Sequence, residues 1–128
     1  METPVDGVAI LFWAADPEVP QRLVTPFHLA AAAAALEVPV EVYFTAASVR
    51  LLVPGVADGL RASPYHPRTV GEALRDAVGH GVRLYACTDA LHAHGIERAA
   101  LIPECAGHGG AVQFMGRATD LRWRALVF

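Results

Sequence analysis

The sequence predicts an α/β fold with a mainly parallel sheet. Three observations carry that expectation. Short, nearly continuous apolar runs of strand type recur along the chain, as expected for strands covered on both faces. Patterns of helical type separate them, and such alternation is the mark of a parallel sheet with crossover helices. The chain has 128 residues, enough for a single domain with one real core over residues 1–128.

The first strand is expected over Gly7 to Ala15, where Val8, Ile10, Leu11, Phe12 and Trp13 are almost uninterrupted. Asp16-Pro17-Glu18 breaks it. The first helix is expected over Val19 to Leu36, with Pro20 suited to a first turn and Pro26 placed to kink or restart it. The alanine run Ala30 to Ala35 has high helix propensity and a smooth surface for close packing. A second strand follows over Val38 to Thr45, then a short helix over Ala46 to Val53 with Ser48 near its start. Val56 to Pro67 reads as irregular, a length typical of lids and contact surfaces. Thr69 is placed to cap a helix over Val70 to Gly79, with Glu72 in the dipole-favoured first turn and Gly79-His80-Gly81 closing it.

Val82 to Ala86 is the third strand, and Thr88-Asp89 opens a helix that runs to His94 and stops at Gly95. Glu97 to Leu101 is another turn of helix, ended by Pro103. Ala106 to Gly116 reads as helical, with a start weakened by Gly107, Gly109 and Gly110. Leu121 to Phe128 closes the chain as an edge strand, since Arg122 and Arg124 alternate with apolar neighbours.

Composition excludes several functions. Every basic residue is arginine, the net charge is −3, and no basic stripe exists, so no nucleic-acid partner is expected. Without lysine there is no Schiff-base or Walker-lysine chemistry. No Gly-x-Gly-x-x-Gly follows the first strand, so a dinucleotide fold is unsupported and no cofactor is expected. The longest apolar region, Phe27 to Ala47, is broken by Glu37, Pro39 and Glu41, so no membrane span is expected. The acidic N-terminus lacks a signal-peptide n-region, which points to the cytoplasm and to two reduced thiols, Cys87 and Cys105. The apolar fraction is 54% and the mean hydropathy +0.35, which favours a sheet covered on both faces and burial against further copies of the chain.

The candidate reactive group is Cys87. It sits where a strand ends and a helix begins, the edge at which parallel sheets bind ligands. A thiol there faces the positive end of a helix and its unpaired first-turn N–H groups, which favour the nucleophilic thiolate. The competing reading is a small buried apolar residue. Thr88, Asp89 and His92 belong to the same junction, and Trp13 ends the first strand at the same edge. Trp13 and Trp123 also suit core or oligomer contacts.

Cys105 and His108 have the spacing of one helix face. With Cys87, His92 and His94 they offer zinc- or copper-type ligands, but no compact CxxC or HxxxH exists, and no metal site is expected. A Cys87–Cys105 redox pair, a Cys–His hydrolytic pair and an anion cradle at Gly107-His108-Gly109-Gly110 stay open on the residues alone.

The blocks VEVYFTAASVRLLVPG (Val40 to Gly55), LRDAVGHGVRLYACTDAL (Leu74 to Leu91) and GIERAALIPECAGHGGAVQF (Gly95 to Phe114), with the last apolar strand, cover nearly the whole chain. Together they resemble the DsrE/DsrF-like proteins, among them DsrE, TusD and YchN. The resemblance implies a three-layer α/β/α domain with a five-stranded, mainly parallel sheet of DsrEFH-like, flavodoxin-like topology. It implies a homo-oligomer, trimer or hexamer, with protein sulfur donors and acceptors. It also implies that Cys87 carries sulfur as a persulfide, making the protein a sulfurtransferase-type carrier in sulfur metabolism. The residues themselves offer Trp13, Thr88, Asp89, His92, Cys105 and His108 as binding candidates. The histidines near the thiol depart from the relay pattern. The alternative is a non-enzymatic oligomeric module binding a small ligand or metal.

Overall fold

The computed structural model describes residues 5–128; the reading of the N-terminus at Met1–Pro4 lies outside the described residues. Five strands form one sheet: β1 (Gly7–Phe12), β2 (Val40–Phe44), β3 (Arg83–Ala86), β4 (Cys105–His108) and β5 (Trp123–Val127). Their order is β4-β3-β2-β1-β5, and every neighbouring pair is parallel. Four α-helices connect them: α1 (Val24–Ala35), α2 (Val70–Gly79), α3 (Thr88–Ala93) and α4 (Ala111–Ala118).

Parallel strands joined by right-handed crossovers put all connections that step in one direction on one face. The steps from β1 to β4 run one way, so α1, α2 and α3 share a face. The return from β4 to β5 runs the other way and lays α4 on the opposite face. The result is three layers, as expected. The direction reverses once, at the return from β4 to β5, so the neighbouring β3 and β4 send their connections to opposite faces, whereas in the flavodoxin order 2-1-3-4-5 the first and third strands do so.

The strand pleat divides the sheet's residues between two environments. Register pairs Ile10 with Val42 and Phe12 with Phe44, and Val42 with Leu84. All five are buried in the main core with Phe27, Ala30, Ala73, Leu74 and Ala77 of the helices. Ala9, Tyr43 and Phe114 form a second, smaller cluster on the α4 side, with Leu11, Tyr85 and Trp123 partly buried against it.

Several boundaries differ from expectation. The first strand ends at Phe12 because the amides of Trp13 and Ala14 both turn to the carbonyl of Phe128, at 2.7 and 2.9 Å. The first helix is split. Pro20–Arg22 is a 3-10 turn, and α1 restarts at Val24. That places Pro26 in its first turn, where a missing N–H costs nothing. The segment after β2 is a 3-10 stretch, Ala46–Leu52, and Ser48 does not cap it. The Ser48 hydroxyl instead reaches the carbonyls of Phe12 and Thr45, at 2.7 and 2.6 Å, tying two strand ends together. The α2 expectation holds: Thr69 Oγ1 accepts from the Glu72 amide at 3.1 Å, and Gly81 closes the end with φ +101°.

One expectation is overturned. Cys105–His108 is a strand, and the helix begins only at Ala111. β4 is an edge strand of four residues, paired on one side only, with a register shift opposite Leu84 and Tyr85. Its residues, Cys-Ala-Gly-His, include no β-branched or aromatic side chain, so no strand period is written in them. The strand forms because β3 offers it an edge to pair with, and Gly107 lies beside the Tyr85 ring, where a Cβ would make only ordinary contact at 3.7 Å. The last strand is an edge as expected, paired in parallel with β1.

Candidate functional site

Ala86 ends β3, and Cys87 occupies the N-cap position of α3. Its amide donates to the Phe44 carbonyl at 2.9 Å, and its carbonyl accepts from Leu91 at 3.0 Å. The backbone is therefore anchored to the neighbouring strand and to the helix. The side chain makes no capping hydrogen bond to the first turn of α3, so the expected grip of those amides on sulfur is not formed. The thiol is half-buried and lines a cavity of about 590 Å³.

That cavity lies at the carboxyl ends of the strands. Leu11 and Trp13 come from β1 and its end, Tyr43 and Phe44 from β2, and Phe114 and Met115 from α4. The turn joining β4 to α4 closes it. A Cβ on Gly110 would sit 3.6 Å from Cys87 Sγ, so this glycine lies directly against the sulfur. A Cβ on Gly109 would come within 2.9 Å of Tyr43 Cε1 and 2.6 Å of Gln113 Oε1. Only glycine lets the turn approach the ring that closely. The walls are apolar, the polar members are few, and no arginine is among them.

The binding candidates named from sequence separate into three places. Trp13 and Asp89 line the Cys87 cavity, and His94 joins them. Thr88 and His92 line a different cavity of about 460 Å³ with Glu97 and Arg98. Six residues of helix suffice to turn alternate side chains away from the thiol. Cys105 and His108 lie on β4 and line neither cavity. Their expected common helix face does not exist, since the segment is extended. Cys105 Sγ donates to the Gly107 carbonyl at 3.4 Å and packs against the main core. Burial pushes its thiol up, only partly offset by hydrogen bonds with the Gly107 and Ala86 backbone. Both cysteines are free thiols. Among the described residues no group of three or more His, Cys, Asp or Glu side chains is arranged to hold a metal ion.

A buried polar network underlies the cavity and was missed from sequence. Tyr43 stacks on Tyr85 at 5.3 Å between centroids and meets Phe114 edge-on at 5.8 Å. Its hydroxyl donates to Glu41 Oε1 at 2.7 Å. Glu41 is 6% exposed and receives two bonds from Arg117, Nε to Oε1 at 2.9 Å and Nη2 to Oε2 at 3.1 Å. The same guanidinium lies 4.0 Å over the Trp123 ring, and Gly7 leaves the space this ring fills. Burial pushes the Glu41 carboxyl up, but the hydrogen bonds from Arg117 and Tyr43 and the charges of Arg117 and Arg83 outweigh it, so it titrates below the usual range. Burial and the Glu41 carboxylate raise Tyr43, which stays protonated as a donor. A signal existed: in VEVYF the polar Glu41 and Tyr43 alternate with Val40, Val42 and Phe44, the period of a strand with two different faces.

Comparison with solved structures finds the same fold elsewhere. The YchN protein of E. coli superposes with a TM-score of 0.73 at 16% identity, covering 97% of this chain and 100% of that one. MTH1491 of Methanobacterium thermoautotrophicum, described as a protein of unknown function, superposes with a TM-score of 0.65 at 21% identity, covering 94% of this chain and 97% of that one. At these identities the likeness is one of fold. No curated protein matches the chain in sequence. The sequence model of the DsrE/DsrF-like family matches residues 8–123. On that match over most of its length, the chain belongs to the DsrE/DsrF-like family.

Proposed function

We propose that the chain is a sulfur carrier in which Cys87 accepts sulfane sulfur as a persulfide and passes it on. One observation carries the reading: Cys87 lines an open cavity at the carboxyl edge of the sheet, while Cys105 is engaged in packing and backbone hydrogen bonds. Membership of the DsrE/DsrF-like family supports, at family level, a relay protein of sulfur metabolism.

The chemistry balances without an oxidant. The Cys87 thiolate attacks the outer sulfur of a donor R–S–S–H. A new S–S bond forms on the protein, the donor's S–S bond breaks, and its electron pair leaves on R–S⁻. Transfer onward repeats the step with an acceptor thiolate. The protein's contribution is position and shelter. The strand end holds the sulfur against Gly110, and apolar walls limit access of water to the persulfide.

The reading calls for a reducing compartment such as the cytoplasm, for donor and acceptor proteins or metabolites, and for a homo-oligomer. No helix among the described residues is long and apolar enough to cross a membrane. Intact-mass analysis after incubation with a persulfide donor tests the role of the thiol. Wild type and Cys105→Ser gain one sulfur atom, and Cys87→Ser does not. An inert Cys87, or uptake that follows Cys105, overturns the reading.

The cavity volume, within the range of small-ligand sites, also favours a second reading, a binding module with no sulfur chemistry. Ligand affinity unchanged in Cys87→Ser, together with no sulfur uptake by wild type, selects it.

A further inference from the structure

The lining of the Cys87 cavity constrains what delivers the sulfur, given that Cys87 is the acceptor proposed above. Its apolar lining includes Leu11, Phe114 and Met115, with Trp13 at the rim. Trp13 is 65% exposed and Met115 51% exposed, so two large apolar groups stand at the opening without an intramolecular partner. The ionisable groups beside Cys87 are Asp89 and His94; no arginine lines the cavity, and the chain has no lysine. Arg117, the arginine of α4, is committed to Glu41.

Charge and surface chemistry therefore favour one donor class. An anion entering this space loses hydration, finds no arginine or lysine to replace it, and meets the Asp89 carboxylate beside the His94 imidazole. An uncharged apolar body gains by leaving water and covers the exposed Trp13 and Met115 surface. The volume, about 590 Å³, accommodates a small organic molecule.

We propose that the donor is a low-molecular-weight organic persulfide with an uncharged apolar body of arylmethyl or branched-alkyl size. The sulfur of Cys87 attacks the outer sulfur of this R–S–S–H, the S–S bond to the R group's sulfur breaks, and the R–S⁻ thiolate leaves with the electron pair. No further redox partner enters the step.

The test uses the full chain and three donors: benzyl persulfide, glutathione persulfide and thiosulfate. The initial rate of sulfur gain at Cys87 is followed by intact mass. Each rate is divided by that of the same donor with a free small thiol, which removes intrinsic donor reactivity. The normalised rate for benzyl persulfide is expected to exceed that for glutathione persulfide by at least about tenfold, the scale set by burying one aromatic group. Met115→Arg places a cation at a half-exposed rim position where folding is insensitive, and is expected to bring the ratio towards unity. Equal or faster loading by the anionic donors in wild type overturns this proposal and leaves Cys87 as acceptor. A ratio unchanged in Met115→Arg also overturns it, since selectivity would then arise outside the cavity. Failure of every donor to load Cys87 overturns the proposal and the carrier reading together.

Discussion

The two faces of the sheet are built from the same strands and do different work. On the face covered by α1 and α2, Ile10, Phe12, Val42, Phe44 and Leu84 interlock with the helices, and Phe12 meets Phe27 and Phe44 edge-on at 5.2 and 5.0 Å. That face is hydrocarbon throughout and close-packed, so its contribution is stability. On the opposite face a single eight-residue helix among the described residues, α4, packs over β1, β2 and β5. Leu11 and Tyr85 are only partly covered there, a buried carboxylate meets a half-exposed arginine, and Gly110 leaves room beside a thiol. The lesson is that alternation along one strand lets residue i serve the core while residue i+1 serves a cavity. The incompletely covered face is the one that can bind.

The largest contrast is between neighbours in β1. Phe12→Ala removes a fully buried ring and is expected to cost about 3–5 kcal/mol in urea denaturation. Leu11→Ala, on the partly covered face, is expected to cost no more than about 1–2 kcal/mol, because less area leaves water there. Equal losses would break the comparison.

The next effect lies in the buried pair. Arg117→Ala leaves Glu41 unpaired in a site where it is 6% exposed. A loss of roughly 2–4 kcal/mol is expected, below the full value for a broken buried pair because one edge of Arg117 meets water. Replacing both residues with methionine is expected to recover most of that loss. A double variant no better than the single one would show that the charges themselves hold α4 in place.

Acid sharpens the same point. The Glu41 carboxyl titrates lower in the folded chain than in the unfolded one, so as pH falls the unfolded state takes up its proton first. The stabilisation is complete above the ordinary glutamate value of 4.5 and is lost as pH falls through the folded value. In Glu41→Gln the fall in stability below that pH is expected to be shallower than in wild type, measured by denaturation at a series of pH values. Identical slopes would assign the acid sensitivity to other carboxylates.

The smallest effect on stability is at the cavity itself. Gly110→Ala would place a methyl in ordinary contact with Cys87 Sγ, at 3.6 Å, and is expected to change stability by less than about 1 kcal/mol. It is expected to slow alkylation of Cys87 by iodoacetamide, because it narrows the approach. Unchanged alkylation would mean that reagents reach the sulfur from another side.

Much of this architecture was legible beforehand, and the pattern of misses is informative. Thr69, Glu72 and the Gly79-His80-Gly81 closure mark α2 because capping is settled within a few residues. The strand-to-helix junction at Cys87 was legible for the same reason: an apolar run followed by Thr-Asp is local information. β4 was not legible, since its residues form a strand only when β3 offers an edge. Among site residues, Asp89 and Trp13 fall in the cavity, but Thr88 and His92 face another, which follows from the rotation of α3 on the sheet and not from distance along the chain.

The amino-acid sequence alone determined the order of strands and helices apart from β4, the parallel class of the sheet and the placing of Cys87 at its carboxyl edge, because each depends on short-range periodicity and caps. Only the tertiary structure decided that Glu41 meets Arg117 across 76 positions, that Gly110 lies against the sulfur, and that no arginine lines the cavity. Those facts depend on the handedness of the crossovers and on which face each one covers, a property of the assembled layers that no local stretch encodes.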